Sequence, residues 1–201
     1  MVTAILVVAG YICGSMPWGL WLVRIFRGVD IRTQGSGNIG ATNVWRVHGR
    51  RLGLPAVFLD TAKGFAPALV ATLLEGHGAG VLAGGAAMLG HYRPLFLGFR
   101  KGGKMVATTG GAFLGVAPIV GACGAGVWLV VFGLTRYASV ASITSALSLP
   151  LWAWLLGYPW PVIAFAGVAA LGVLLLHRAN LGRLWRGEEH RFTRRTTTRP
   201  A

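Results

Sequence analysis

Four short stretches carry nearly all the side chains suited to holding an anion or moving a proton. The first is Gly35-Ser36-Gly37-Asn38-Ile39-Gly40-Ala41-Thr42-Asn43, followed by Arg46. The second is His91 with Gly102-Gly103-Lys104, the third Ala138-Ser139-Val140-Ala141-Ser142-Ile143, and the fourth His177-Arg178-Ala179-Asn180. Glycines permit positive φ and let the backbone approach a ligand closely. Successive free N–H groups in such a loop form a concave nest that prefers anions. Arg46 offers a bidentate fork and Lys104 a point charge, both suited to phosphate. His177 and Asn180 are three residues apart, so a helix presents them on one face. The set points to phosphate chemistry. Taken alone, the glycine loop also reads as a flexible connection between helices.

The elements that position these stretches are membrane helices. The 201 residues are 54% hydrophobic and only 12% charged, about half the charged share of a soluble domain. Apolar runs of about 20 residues, long enough to span a bilayer, recur along the chain. The reading is an all-α integral membrane protein, a compact bundle of about seven transmembrane helices in one domain, residues 1–186. A basic tail, residues 187–201, is expected to be flexible. The spans are expected near Thr3–Val23, Leu52–Leu74, Gly78–Leu97, two within Val106–Leu134 broken near Pro118, Val140–Leu156 and Pro161–Leu176. Small residues such as Gly80, Gly84 and Gly85, or Gly110, Gly111 and Gly115, let such helices pack tightly. Trp152, Trp154, Tyr158 and Trp160 suit a membrane–water interface.

Charge sets the expected orientation. The net charge is +14, which in a soluble chain would suggest nucleic acid. Here the basic residues fall in alternate connections. Arg24 to Arg51 lie between the first two spans, Arg93 to Lys104 between the third and fourth, and Arg178 to Arg199 after the last. The connections around Glu75–Gly78, Val116–Gly121 and Gly157–Pro161 contain no Lys or Arg. Positive loops face the cytoplasm, so the N-terminus is expected outside, with the tail and all four motif stretches inside. No nucleic-acid partner is expected. The first span has no basic stretch before it and exceeds a signal peptide's apolar core, so it is read as a retained helix.

Several classes are excluded. Five acids in the whole chain are too few for a multi-carboxylate magnesium site, and no metal or cofactor is expected. No histidine is followed five positions later by Asp, and no Gly-x-Ser-x-Gly elbow is present. Cys13 and Cys123 sit in separate apolar runs and show no metal spacing or disulfide framework.

Five groups of motifs carry a resemblance that covers almost the whole chain. They are Tyr11 to Gly19 with Leu59-Asp60-Thr61-Ala62-Lys63-Gly64; Gly35 to Asn43 with Arg46; Gly90-His91, Pro94-Leu95-Phe96 and Gly102-Gly103-Lys104 with Val106-Ala107-Thr108; Ser139-Val140-Ala141-Ser142; and His177-Arg178-Ala179-Asn180. Together they resemble the bacterial membrane glycerol-3-phosphate acyltransferases that use acyl phosphate as donor. Three departures stand out. Arg93 replaces a common aromatic, Arg100-Lys101 adds a residue before Gly102, and Met105 stands where a small residue is usual.

The resemblance implies acyl transfer from acyl phosphate to the 1-hydroxyl of sn-glycerol 3-phosphate, giving lysophosphatidic acid and phosphate at a bacterial inner membrane. The implied partners are these two substrates and membrane lipids; no protein partner is deducible. Two phosphates about 4 Å apart repel by about 4 kcal/mol per pair of unit charges at an effective dielectric near 20, so fixed cations and N–H groups must offset that. Gly35, Gly37, Asn38, Gly40, Ala41, Thr42 and Asn43 are the expected acyl phosphate cradle. Arg46 and Lys104 are expected on the glycerol phosphate, with Ser36 bridging. His177 is expected to orient or deprotonate the hydroxyl, with Asn180 and Ser142 fixing geometry, although the departing phosphate is an equal candidate for the proton. Simpler roles are open to several residues: Ser36 as a turn cap, His177 as a helix-end residue favoured by the macrodipole, His91 as structural, and Asp60 with Lys63 as a pair within the bundle. The alternative function is a phosphate or organophosphate transporter. It would need a basic path through the membrane, and only Lys63 lies inside a span.

Overall fold

The structure is a computed structural model that describes residues 1–192. All the regular structure among them is helical. Its α-helices are α1 (Val2–Gly14), α2 (Trp18–Arg27), α3 (Ala41–His48), α4 (Arg50–Tyr92), α5 (Val106–Val116), α6 (Pro118–Thr135), α7 (Ala138–Leu155), α8 (Trp160–Leu176) and α9 (Arg178–Trp185), with short 3-10 turns at Ile31–Thr33 and Leu95–Leu97.

Hydropathy places most of these helices within a few residues, and the two departures have local causes. The expected first span is two helices. Ser15 caps α1, and Pro17, which lacks an N–H, precedes α2. The second departure is α4, which runs through the expected outer connection. Gly76 at φ +80° and ψ −177° breaks it into two arms. This left-handed φ is open to glycine with little penalty. The arms fold back on each other: a Cβ built at Gly84 would lie 3.3 Å from that of Ala68, and one at Gly80 would overlap Thr72. Counted as two arms, α4 brings the apolar helices to seven with α1 and α5–α8. By length and apolarity four helical segments suffice to cross a bilayer, five if α8 and α9 are joined across their 55° bend. Helix α5, with 11 residues, is about 16 Å long and falls short of a roughly 30 Å hydrocarbon core.

Close approach holds the bundle. A Cβ at Gly111 would overlap the Thr61 carbonyl oxygen, so α5 lies directly on the first arm of α4. Around this contact, Ala68, Ala112, Phe113, Val116, Val120, Leu149, Val162 and Ala166 form the main core, joining α4 to α8. Phe113 stacks on Phe165 at 4.9 Å. The outward faces remain apolar, with Phe58, Leu73, Leu129, Leu134 and Val168 exposed, as a lipid-facing surface requires. A second core of Leu20, Val23, Ile31, Ile39, Val44, Leu52 and Ala56 packs α2 and α3 under the glycine loop.

One end of the bundle gathers Thr3, whose hydroxyl donates to Glu75 at 2.7 Å, and His77, which meets Tyr158 edge-on at 6.0 Å. Trp154 and Trp160, beside Tyr158, are exposed. The four motif stretches lie at the other end.

Candidate active site

The first anion loop is built by one amide. Asn43 is buried, and its Oδ1 accepts the Ser36 N–H at 3.0 Å while its Nδ2 donates to Gln34 O at 3.0 Å and Asn38 O at 2.9 Å. Asn38 Oδ1 accepts the Gly40 N–H at 2.8 Å. Gly35 and Gly37 take φ of +56° and +68°. The Asn43 side chain is therefore spent on shaping the loop, while Asn38 braces it through Oδ1 alone, beside the backbone and hydroxyl groups that face an anion. Gly40 caps α3 without a side-chain bond, so the Ala41 and Thr42 amides open an uncapped N-terminus of the kind that binds phosphate. Ser36 and Thr42 are exposed. Thr42 and Arg46 are four apart on α3 and share its face, which links the loop to its cation.

The second loop delivers Lys104 to the end of α8. The Gly102 and Gly103 amides donate to Tyr92 O and His91 O at 2.9 and 3.0 Å. Lys104 Nζ donates to Asn180 Oδ1 at 2.5 Å, which joins the second and fourth stretches. Burial pushes the Lys104 ammonium down to about 8; Arg183 adds to the fall and Glu189 opposes it. Arg46 is half-buried, with its guanidinium over the Phe192 ring at 4.9 Å. Burial lowers its pKa, against the pull of Glu189.

His177 caps α8 where the chain bends into α9. It is buried, and its Nδ1 lies 2.8 Å from Val173 O. A carbonyl oxygen only accepts, so Nδ1 carries the proton and the neutral ring keeps its lone pair on Nε2. That tautomer suits a base or a hydrogen-bond acceptor toward a hydroxyl. Asn180 stands on the next turn. Ser142 is also buried, but its hydroxyl donates to Ala138 O at 2.7 Å and accepts Trp128 Nε1 at 3.1 Å.

The structure adds members that composition hid. Glu189 folds back from the tail, accepting Asn180 Nδ2 at 2.7 Å and Arg183 Nε at 2.8 Å. Burial works to raise its carboxyl, but the bonds from Asn180 and Arg183 hold it below its ordinary value. Phe192 packs edge-on to Phe132 at 5.3 Å, and its N–H donates to Arg136 O at 3.0 Å. Thus Glu189 and Phe192 lie against the site, while residues 193–201 of the expected flexible tail fall outside the described residues. Beside His177 a groove of about 360 Å³ is lined by Tyr92, Arg93, Lys101, Leu176, Arg178 and Ala179. Arg93 and Lys101, two of the departures noted above, supply two of its three cations.

This arrangement has close counterparts. The sequence profile described as glycerol-3-phosphate acyltransferase matches residues 4–187. The chain belongs to the glycerol-3-phosphate acyltransferase family. A glycerol-3-phosphate acyltransferase of Desulforudis audaxviator is 44% identical over 192 residues, covering 94% of this chain and 96% of that protein. One from Aquifex aeolicus is 44% identical over 189 residues, covering 93% and 97%. The fold matches the crystal structure of PlsY (YgiH), an integral membrane glycerol 3-phosphate acyltransferase, in its glycerol 3-phosphate form, with a TM-score of 0.92 at 42% identity over 96% of each chain. The lysophosphatidic acid form of PlsY matches with a TM-score of 0.89. As a member of this family the chain is an acyltransferase and an integral membrane protein of phospholipid synthesis.

Within the family pattern, Met105 has a physical reading. It occupies the N-cap of α5 at φ +66°, a left-handed conformation that glycine alone, with no Cβ, adopts without strain. Its side chain is buried in the main core. Packing therefore offsets an unfavourable backbone.

Proposed function

We propose that the protein moves an acyl group from acyl phosphate to the 1-hydroxyl of sn-glycerol 3-phosphate, giving lysophosphatidic acid and phosphate, at the cytoplasmic face of a bacterial inner membrane. The observation that carries this reading is the Lys104–Asn180 bond. It brings a phosphate-seeking ammonium onto the helix turn that presents His177, in a chain closely similar to PlsY, whose structures have glycerol 3-phosphate and lysophosphatidic acid forms. The basic connections at the motif end and their absence at the other support the orientation.

The steps follow from the residues. Arg46 and Lys104 hold the glycerol phosphate, with Ser36 bridging, and the Gly35–Asn43 backbone with the α3 N-terminus cradles the donor phosphate. Holding both together converts a bimolecular reaction into a local one, and the mixed anhydride is already activated, so no acyl-enzyme is required. The hydroxyl oxygen attacks the acyl carbon, the acyl carbon–oxygen bond breaks, and phosphate leaves. The hydroxyl proton passes to His177 Nε2 or to the departing phosphate. Asn180, held between Lys104 and Glu189, keeps the acceptor aligned. The acyl chain lies on the apolar flank open to lipid.

Purified protein offered acyl phosphate, acyl-CoA and acyl carrier protein thioester in turn tests the donor. Turnover with acyl phosphate alone is expected. Efficient turnover with acyl-CoA and none with acyl phosphate would overturn this reading.

A further inference from the structure

A buried charged cluster lies under the site and takes no part in the chemistry described above. Lys63 Nζ lies 2.8 Å from Asp60 Oδ1, each side chain 2% exposed. His91 Nδ1 is 3.7 Å from the same carboxylate oxygen, and that ring is also buried. Ionisable groups inside a membrane bundle are costly. A buried ion pair is often replaceable by apolar residues of similar volume without loss of stability. Stability alone is therefore a weak reason for the trio, and its contacts point to another.

Each member reaches a different part of the site. Lys63 Nζ also donates to Met16 O at 2.7 Å, at the entry to α2. Helix α2 supports the first anion loop, since Gly19 packs directly on the Ile39 carbonyl. His91 supports the second loop. Its carbonyl accepts the Gly103 N–H at 3.0 Å, and a Cβ on Gly103 would overlap the imidazole at Nε2. Gly103 precedes Lys104, and its φ is not in the left-handed region. Its backbone would accept alanine, so the side chain of His91 is what excludes one.

We propose that Asp60, Lys63 and His91 are positioning residues that fix the two anion-binding loops relative to each other, setting where Lys104 meets the acceptor phosphate. Asp60 is the shared anchor, Lys63 holds the α2 entry beneath the first loop, and His91 is the seat of the Gly102–Lys104 backbone. The proposal rests on the reading that Lys104 binds the glycerol phosphate.

A double-mutant cycle tests it. Gly103→Ala is expected to raise KM for glycerol 3-phosphate by about tenfold or more, with kcat within about twofold, because the added methyl lifts the loop off His91. In the His91→Ala background the same change is expected to cost less than about threefold, since the obstructing ring is gone. Equal penalties in both backgrounds would overturn the proposal, because the methyl would then be meeting the substrate itself. If Gly103→Ala alone yields no folded protein, recovery of folded, active protein in the double variant supports the seat, and failure of the double to recover contradicts it. The paired change Asp60→Asn with Lys63→Met removes the charges together. A raised KM at unchanged kcat is expected; a lower melting temperature with unchanged KM would show the trio to be structural only. Lys104→Ala serves as control. Should it leave KM unchanged, the role given to Lys104 fails; should it raise KM while the cycle shows no coupling, only the positioning proposal fails.

Discussion

The pH dependence of glycerol 3-phosphate use should be written by Lys104. Its ammonium has one hydrogen bond among the described residues, to Asn180 Oδ1, which leaves two of its three donors for a ligand. A charge-assisted hydrogen bond contributes roughly 1.5–3 kcal/mol, so losing it weakens acceptor binding by about one to two decades. Burial lowers the Lys104 pKa to about 8, so the binding form is present below that value and disappears above it. kcat/KM for glycerol 3-phosphate reports the free enzyme. It should hold level from about pH 7 to near 8, then fall by up to about tenfold per unit until the loss from Lys104 is complete. Bound phosphate stabilises the ammonium, so kcat should decline only at higher pH. The assay is steady-state turnover in detergent with saturating donor and varied acceptor, for wild type, Lys104→Met and Lys104→Arg. Lys104→Met should be low and flat across the window. Lys104→Arg, whose guanidinium stays charged, should be flat as well. A falling limb near pH 8 that persists in Lys104→Met would refute the assignment.

His177→Ala should lower kcat by about two to four decades, toward the lower end if departing phosphate takes the proton, with acceptor KM little changed; near wild-type turnover in folded protein would make His177 structural. Asn43→Ala should cost about 2–4 kcal/mol through the backbone groups it leaves unpaired, visible as a lower melting temperature together with weaker substrate binding. Met105→Gly relieves about 1 kcal/mol of left-handed strain but removes a buried side chain worth about 2–5 kcal/mol, so thermal unfolding should report a net loss of roughly 1–4 kcal/mol. Activity should survive excess chelator, since each carboxylate already has a protein partner: Asp30 with Arg24 and Arg32, Asp60 with Lys63, Glu75 with Thr3, Glu188 with Arg186 and Glu189 with Arg183. Complete loss restored by magnesium would reverse that expectation.

How legible these features were depends on what each residue's signal is made of. The spans could be read because hydropathy is a sum over about 20 residues and tolerates local detail. The break before Pro17 is hidden because Gly14-Ser15-Met16-Pro17 sits inside a long apolar run, whose summed hydropathy outweighs a turn signal of three or four residues. The 43-residue α4 is two spans by composition and one element by hydrogen bonding, so the reading of two spans and the continuous helix describe the same chain. Lys104, His177 and Asn180 were legible by type and spacing, and the structure places them together. The role of Asn43 was not, because an amide reads alike whether it faces a ligand or its own loop; only the bonds to Ser36, Gln34 and Asn38 decide. Glu189 was hidden by its surroundings. A polar, arginine-rich tail reads as solvated, and nothing local shows that one carboxylate returns to Asn180. In the sequence His91 leaves a structural and a chemical role open, and its contact with Gly103 becomes visible only once α4 and the second loop are joined in space.

The proposed reaction requires that an acyl group, and not a phosphoryl group, leave the donor. Acyl phosphate carrying a heavy-oxygen label in its bridging position, turned over with glycerol 3-phosphate and analysed by mass spectrometry of both products, tests this most directly. The expected products are lysophosphatidic acid with an unlabelled ester and released phosphate that carries all of the label. Label in free fatty acid, with the phosphoryl group on the acceptor, would contradict it.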